Sequence, residues 1–257
     1  MTASVDTQAL ETQVKRMYEQ VATEPGAGFH FELGRGVAIR AGYDPAMLDA
    51  IPAPAVESFA GVGFFFDLAA LAPGETVVDL GSGSGMDAFY AAALTGPAGH
   101  VTGVDFTPAQ LAKARRLAAG TGAPTLEFVD ARIEHLPLAD GSADCVISNG
   151  VINLCPDKAA VFAEAARVLR PGGRLAVADI VSEQPLPESV VCNADLWASC
   201  IGGAAPQDHY RAAITAAGLI VHCVRDNDYA FISDRARTAS ASYGVHSVSV
   251  LATKPRR

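Results

Sequence analysis

The chain has little of what secreted, membrane-bound or nucleic-acid-binding proteins depend on. Its 257 residues include 19 Lys plus Arg against 28 Asp plus Glu, for a net charge of -9, and no basic cluster appears. That balance argues against non-specific nucleic-acid binding, which needs grouped cations to neutralise phosphates. Cysteine is scarce: five residues, at 145, 155, 192, 200 and 223, with no C-x-x-C pair. The odd number and the lack of a signal segment point to reduced thiols and leave zinc with little support. No apolar run approaches eighteen residues, and the opening MTASVDTQALETQVKRMYEQ is polar. A cytoplasmic protein without membrane engagement is expected. Two phosphate-binding signatures are also missing. There is no G-x-x-x-x-G-K-[ST] string, and counting from Gly81 for G-x-G-x-x-G gives Gly83 and then Met86. ATP held by that loop is unlikely on this count, and NAD or FAD is weakened.

What is present is an α/β pattern. Half of the residues are hydrophobic, enough for one large domain with a substantial core. Residues 75–107, ETVVDLGSGSGMDAFYAAALTGPAGHVTGVDFT, read as an apolar strand, a glycine-rich turn, a small-residue helix and a second strand. Val77 and Val78 suit a parallel strand covered on both faces. Gly81, Gly83 and Gly85 allow a sharp turn and a ligand lying against the main chain. Asp105 closes the second strand 26 residues after Asp79, where a nucleotide-binding sheet holds a ribose diol. Turn and acid together imply an adenosine-type ligand.

Further strands are expected at 125–129, 143–148, 175–181, 219–224 and 247–252, giving a seven-stranded, mostly parallel sheet with helices on both faces. A helix at 161–169 is closed by Arg170, Pro171, Gly172 and Gly173. Residues 1–74 read as an N-terminal helical cap, with Leu10, Val14, Met17, Tyr18 and Val21 at helical spacing over 7–22 and a short helical segment at 34–41. Residues 75–182 are the cofactor-binding core, 183–218 an insertion after strand 5, and 219–257 the C-terminal strands. Cap and insertion are expected to form the acceptor pocket, because binding residues favour loops beyond the carboxyl ends of parallel strands.

The string D-L-G-S-G-S-G at 79–85, with Asp105 after it and RVLRPGGRLAVADIV at 167–181, resembles class I S-adenosylmethionine-dependent methyltransferases, which have a Rossmann-like sheet. Over most of its length the chain resembles the arsenite methyltransferase family. GYDPAMLDAIPAPAVESFAGVGFFF, GVDFTPAQLAKAR, VISNGVINLCPDKAAVFAEAARVLRPGG, LWASCIGGA, DNDYAFISD and YGVHSVSVLATKP carry that likeness. The resemblance implies S-adenosylmethionine bound by Asp79, Gly81, Ser82, Gly83, Gly85, Asp87, Asp105, Phe106, Gln110, Asp130, Ala131, Arg132 and Asn149. In this reading the Asp130 carboxylate faces the adenine amino group and the Ala131 backbone NH meets the ring. For Asp130 the other reading is a helix N-cap.

On the acceptor side the resemblance fails in part. The family holds trivalent arsenic through thiolates, soft ligands for a soft centre. Its S-N-C-V string is here Ser148, Asn149, Gly150 and Val151, so that thiol is absent, and no cysteine occurs in residues 1–144. Cys200, in the C-x-G-A-like string, survives as a metalloid ligand or as a small buried apolar residue. Cys155 lies five residues past Gly150, a shift expected to change a side chain's direction. Gly150 is expected to widen the pocket floor. One thiolate cannot chelate, so the acceptor is read as a small organic molecule, in keeping with Phe29, Phe31, Tyr43, Phe59, Phe64, Phe65 and Phe66 in the cap. Should it carry an O–H or N–H, His30, His209, Tyr18, Asp195 and Cys200 are the candidate catalytic groups. No resident metal is expected, no nucleic-acid or membrane partner, and a monomer or homodimer. Arsenite methylation, a non-methylating use of the cofactor such as cyclisation, a dinucleotide oxidoreductase and a non-catalytic binding protein remain the alternatives.

Overall fold

The computed structural model describes residues 5–122, 125–193, 197 and 201–256, with the backbone alone at 235. The sheet is built from β1 (Thr76–Leu80), β2 (His100–Asp105), β3 (Leu126–Asp130), β4 (Ala143–Asn149), β5 (Leu169–Ser182), the two-residue β6 (Ala205–Pro206), β7 (Ile220–Asp226) and β8 (His246–Thr253). The order is β3-β2-β1-β4-β5-β8-β7, with β6 beside β5. Only β8 runs antiparallel to its neighbours, so the expected seven-stranded path is present with one short addition.

Alternation along each strand divides the core. Val77, Val101, Cys145, Ile147 and Ala176 point to one side of the sheet, where they pack with Ala88 and Phe89 of α6 (Met86–Thr95) and Leu111 of α7 (Pro108–Thr121). Val78, Val104, Val146 and Leu175 point to the other, against Phe162 of α8 (Lys158–Val168). The fifth strand begins earlier than expected. Arg170–Gly173 are not a terminator loop but a bulged stretch of β5, where the register to β4 jumps from Ala143↔Leu169 to Cys145↔Arg174. A bulge admits a proline that a regular ladder would reject.

The cap consists of α1 (Thr7–Thr23), α2 (Arg35–Ala41), α3 (Pro45–Asp49), α4 (Ala53–Glu57) and α5 (Phe66–Ala69). Asp6 caps α1 by accepting from the backbone of Gln8 and Ala9, and Asp44 caps α3 at Ala46. Most of the cap aromatics are core. Tyr43 lies edge-on to Phe59, Phe64, Phe66 and Tyr90 at centroid distances of 4.9–6.0 Å. The segment after β5 holds α9 (Glu188–Val191) and α10 (Gln207–Ala216), and α11 (Asp234–Tyr243) precedes β8.

Candidate functional site

The strand order reverses at β1, whose parallel neighbours β2 and β4 lie on its two sides. In open parallel sheets a cleft forms at that point beyond the carboxyl ends. Here the cleft encloses about 1170 Å³ of empty space, with the solvent at its mouth included. The glycine-rich turn forms its floor. Gly81 has φ +71° and a Cβ there would stand 2.4 Å from Val151 Cγ2, while Gly85, at φ +95°, would place one 2.6 Å from the Phe128 ring. No larger residue fits either position without displacing the turn.

Three carboxylates converge on this floor. Asp79, at the end of β1, is 2% exposed, and its Oδ2 has no partner; the nearby buried Ser82 Oγ is likewise unpartnered. Burial, then the charges of Asp87 and Asp105, hold the Asp79 carboxyl well above the usual range. Asp87, in the first turn of α6, accepts from Tyr43 Oη at 2.5 Å and from Asn149 Nδ2 at 3.1 Å. Burial raises its pKa from 3.8 to about 6, against those two hydrogen bonds. Asp105 accepts from the backbone of Gly83 at 2.9 Å and Thr107 at 2.8 Å, and burial raises it too. A row of desolvated acids, one with an unpartnered oxygen, has the chemistry of a seat for a cation.

Of the residues implied by the resemblance, Asp79, Gly81, Ser82, Gly83, Asp87, Asp105, Phe106, Gln110, Arg132 and Asn149 all line this cleft, as does Tyr18. Others stand apart. Gly85 shapes the turn from behind. Asp130 is exposed and outside the lining, and the Ala131 N–H is engaged within the sheet, donating to Asp105 O at 3.1 Å. The reason is register: Asp105 and Asp130 are sheet partners, and the chain leaving β3 is still tied to β2. Arg132, Ile133 and Glu134 form that wall instead. His30 is away from the cleft, with Nε2 buried and unpartnered and its pKa lowered by burial; His209 is exposed on α10. Asp195 and Cys200 lie outside the described residues.

The opposite wall comes from α1 and from residues 55–61, but no described residue of the insertion after β5 reaches it. Among the cap aromatics that were expected to shape an acceptor pocket, only Phe59 lines the cleft. Cys155 also lines it, contrary to the expectation that five residues would turn it away: a 3-10 turn at Ile152–Leu154 brings the chain back. Burial pushes its thiol upward, so it stays protonated. Gly150 does not widen the floor. It has φ +72°, and a Cβ there would face Val62 of the cap at 3.3 Å. Tyr43 was expected only as an aromatic of the cap, and Cys155 only as a thiol turned aside. Tyr43 lies between helices with no periodic pattern around it, and only the fold brings its hydroxyl to Asp87.

A methyltransferase domain profile matches residues 71–218, more than half of the chain. The chain belongs to the methyltransferase domain family, of the class I kind that uses S-adenosylmethionine. The methyltransferase is 44% identical over 191 residues to an arsenite methyltransferase of Halobacterium salinarum, covering 74% of this chain and 49% of that protein. It is 41% identical over 112 residues to a ubiquinone/menaquinone biosynthesis C-methyltransferase of Methylobacterium nodulans, covering 42% and 44%. The crystal structure of an arsenic(III) S-adenosylmethionine methyltransferase from Chlamydomonas reinhardtii superposes with a TM-score of 0.69 at 34% identity, over 82% of this chain and 72% of that one. The chain spans about half the length of these two curated relatives. No helix among the described residues is long and apolar enough to cross a membrane.

Proposed function

We propose that this methyltransferase moves the methyl group of S-adenosylmethionine to a small organic acceptor and not to arsenite. The observation that carries the acceptor reading is the thiol arrangement. Of the described cysteines, Cys145 is buried in the sheet, Cys192 and Cys223 stand outside the cleft, and Cys155 alone lines it. One protonated thiol among the described residues cannot chelate a soft trivalent centre, and the thiol of the family's S-N-C-V string is replaced by Gly150. The remainder of the wall is largely apolar, with Leu10, Val14, Phe59, Ile133, Val151 and Leu154, a lining suited to a carbon skeleton. The relatives include an arsenite methyltransferase, matched over 191 residues, and a quinone-pathway C-methyltransferase, matched over 112.

Bound here, the cofactor supplies an electrophilic methyl on a sulfonium. Asp79, with its unpartnered Oδ2, and Asp87 fit its ammonium; Asp105 fits the ribose diol, and Phe106 and Ile133 offer apolar faces to the base. Direct displacement asks the protein to align the acceptor and exclude water. Tyr18, on α1 across the cleft, is the candidate to orient an acceptor hydroxyl. The reading that favours arsenite rests on the named relatives. An assay of S-adenosylhomocysteine formation, with trivalent arsenic plus thiol in one arm and small phenols, enols and amines in the other, separates the two. Turnover is expected only in the organic arm, and robust arsenic turnover overturns the proposal.

A further inference from the structure

The described part of the insertion after β5 stops short of the cleft, yet it is fastened to a turn that lines it. Residues 150–156 follow β4 and bring Val151, Leu154, Cys155 and Pro156 to the wall. Side chains hold much of this turn. Asn153, 0% exposed, donates from Nδ2 to Gly150 O at 3.2 Å and to Asp179 Oδ1 at 2.6 Å, and Tyr210 of α10 donates to Asp179 Oδ2 at 2.8 Å. The buried Asn153 Oδ1 is left without a partner, a cost that the surrounding contacts must offset.

Lys158 completes the hold. Its Nζ donates to Asn153 O at 3.2 Å and to Cys155 O at 3.0 Å, and the same ammonium stands 5.0 Å from the centre of the Trp197 ring. Trp197 belongs to the insertion, where its Nε1 donates to Val191 O at 2.6 Å, and it shares an apolar cluster with Leu154. Gly203 approaches so closely that a Cβ on it would collide with Asn153 O. One cation thus joins two carbonyls of the turn to an indole face. The helix itself gains nothing from it: Lys158 opens α8, where the positive end of the dipole disfavours a cation.

We propose that Lys158 is a positioning residue for the acceptor wall, tying residues 150–156 to Trp197 so that the insertion sets the direction of Leu154 and Cys155 without lining the cleft itself. The proposal rests on the reading that this cleft takes the acceptor.

Cys155 reports the tie directly. It is 9% exposed and its thiol is kept protonated by burial, so iodoacetamide should label it slowly in the wild-type protein. Labelling is read at Cys155 alone by peptide mass spectrometry, while calorimetry with S-adenosylhomocysteine checks that the donor wall is intact. Lys158→Met is expected to keep that affinity within about twofold and to speed labelling about tenfold. Lys158→Arg, which can donate to both carbonyls and stack on the indole, should return the rate close to wild type. Trp197→Leu should speed labelling about two- to threefold, and adding it to Lys158→Met should bring no further gain. With the best-turned-over organic acceptor of the assay above, Lys158→Met should raise the acceptor KM about tenfold and leave the KM for S-adenosylmethionine unchanged. Wild-type labelling and wild-type acceptor KM in a Lys158→Met protein that binds S-adenosylhomocysteine would make the turn self-supporting and overturn the proposal. Should Lys158→Met lose S-adenosylhomocysteine binding, Trp197→Leu decides alone: labelling at the wild-type rate overturns the tie and faster labelling supports it. Absence of turnover with every organic acceptor overturns the acceptor class, and the labelling arm then decides the tie by itself.

Discussion

The two walls of the cleft are built differently. The wall that carries the acids comes from neighbouring strand ends: Asp79 lies near the end of β1 with the turn after it, and Asp105 ends β2, in a ladder whose register pairs Asp79 with Gly103. The facing wall is assembled from residues far apart in the chain, where Tyr43 meets Asn149 across 106 positions and Gln110 meets Tyr18 across 92. The first wall is local and electrostatic; the second is long-range and mostly apolar. On the proposed function the methyl donor is read from one short stretch, whereas the acceptor depends on how cap, core and strand-end loops come together.

The strongest test of this contrast is Asp79→Asn. Loss of a charged partner for the cofactor should weaken S-adenosylmethionine binding by about 10- to 100-fold by calorimetry. The cofactor-free protein should melt higher near neutral pH, because folding must protonate the buried Asp79 carboxyl and an amide needs no such uptake. Unchanged affinity would break the assignment of this wall to the donor.

The next effect is on pH. With its pKa raised from 3.8 to about 6, Asp87 holds its proton in the folded protein where the unfolded chain has lost it. The folded, cofactor-free state therefore binds more protons across that window, and its stability falls as pH rises through it. Binding of the cationic cofactor runs the other way, tightening about tenfold from pH 5 to pH 7 as the carboxylate forms. Tyr43→Phe removes a hydrogen bond that favours the charged form, so the midpoint of that tightening should move upward. A titration unmoved by Tyr43→Phe would detach the cap from the electrostatics of the donor wall.

The smallest expected effect is that of Gly150→Cys, which restores the thiol of the family's string. At φ +72° a side chain should cost about 1–2 kcal/mol in urea unfolding. Arsenic turnover should not appear, since the new Cβ faces Val62 and not the cleft. Gain of arsenic methylation would show that the two walls are less separate than drawn.

Local patterns read well from residues alone. The helix expected at 7–22 spans Thr7–Thr23, and the strands at 219–224 and 247–252 became Ile220–Asp226 and His246–Thr253. Apolar alternation and helical spacing are short-range signals, so such elements need no partner to be seen. Arg170–Gly173 misled because Pro-Gly-Gly is turn chemistry in isolation, and only pairing with β4 turns it into a bulge. A family position likewise does not reveal that the Ala131 N–H is bonded to β2.

The sequence by itself determined the donor side: an apolar strand, glycines where the chain must turn with positive φ, and acids at strand ends, all within some thirty residues whose geometry follows from backbone sterics and the two-residue period of a strand. Only the tertiary structure decided which groups face that site. The return of Cys155 to the cleft, the turning of Gly150 toward the cap, the reach of Tyr43 to Asp87 and the seating of α1 on Gln110 and Lys113 each depend on packing between segments distant in the chain, and no local pattern encodes the direction a side chain takes after such packing.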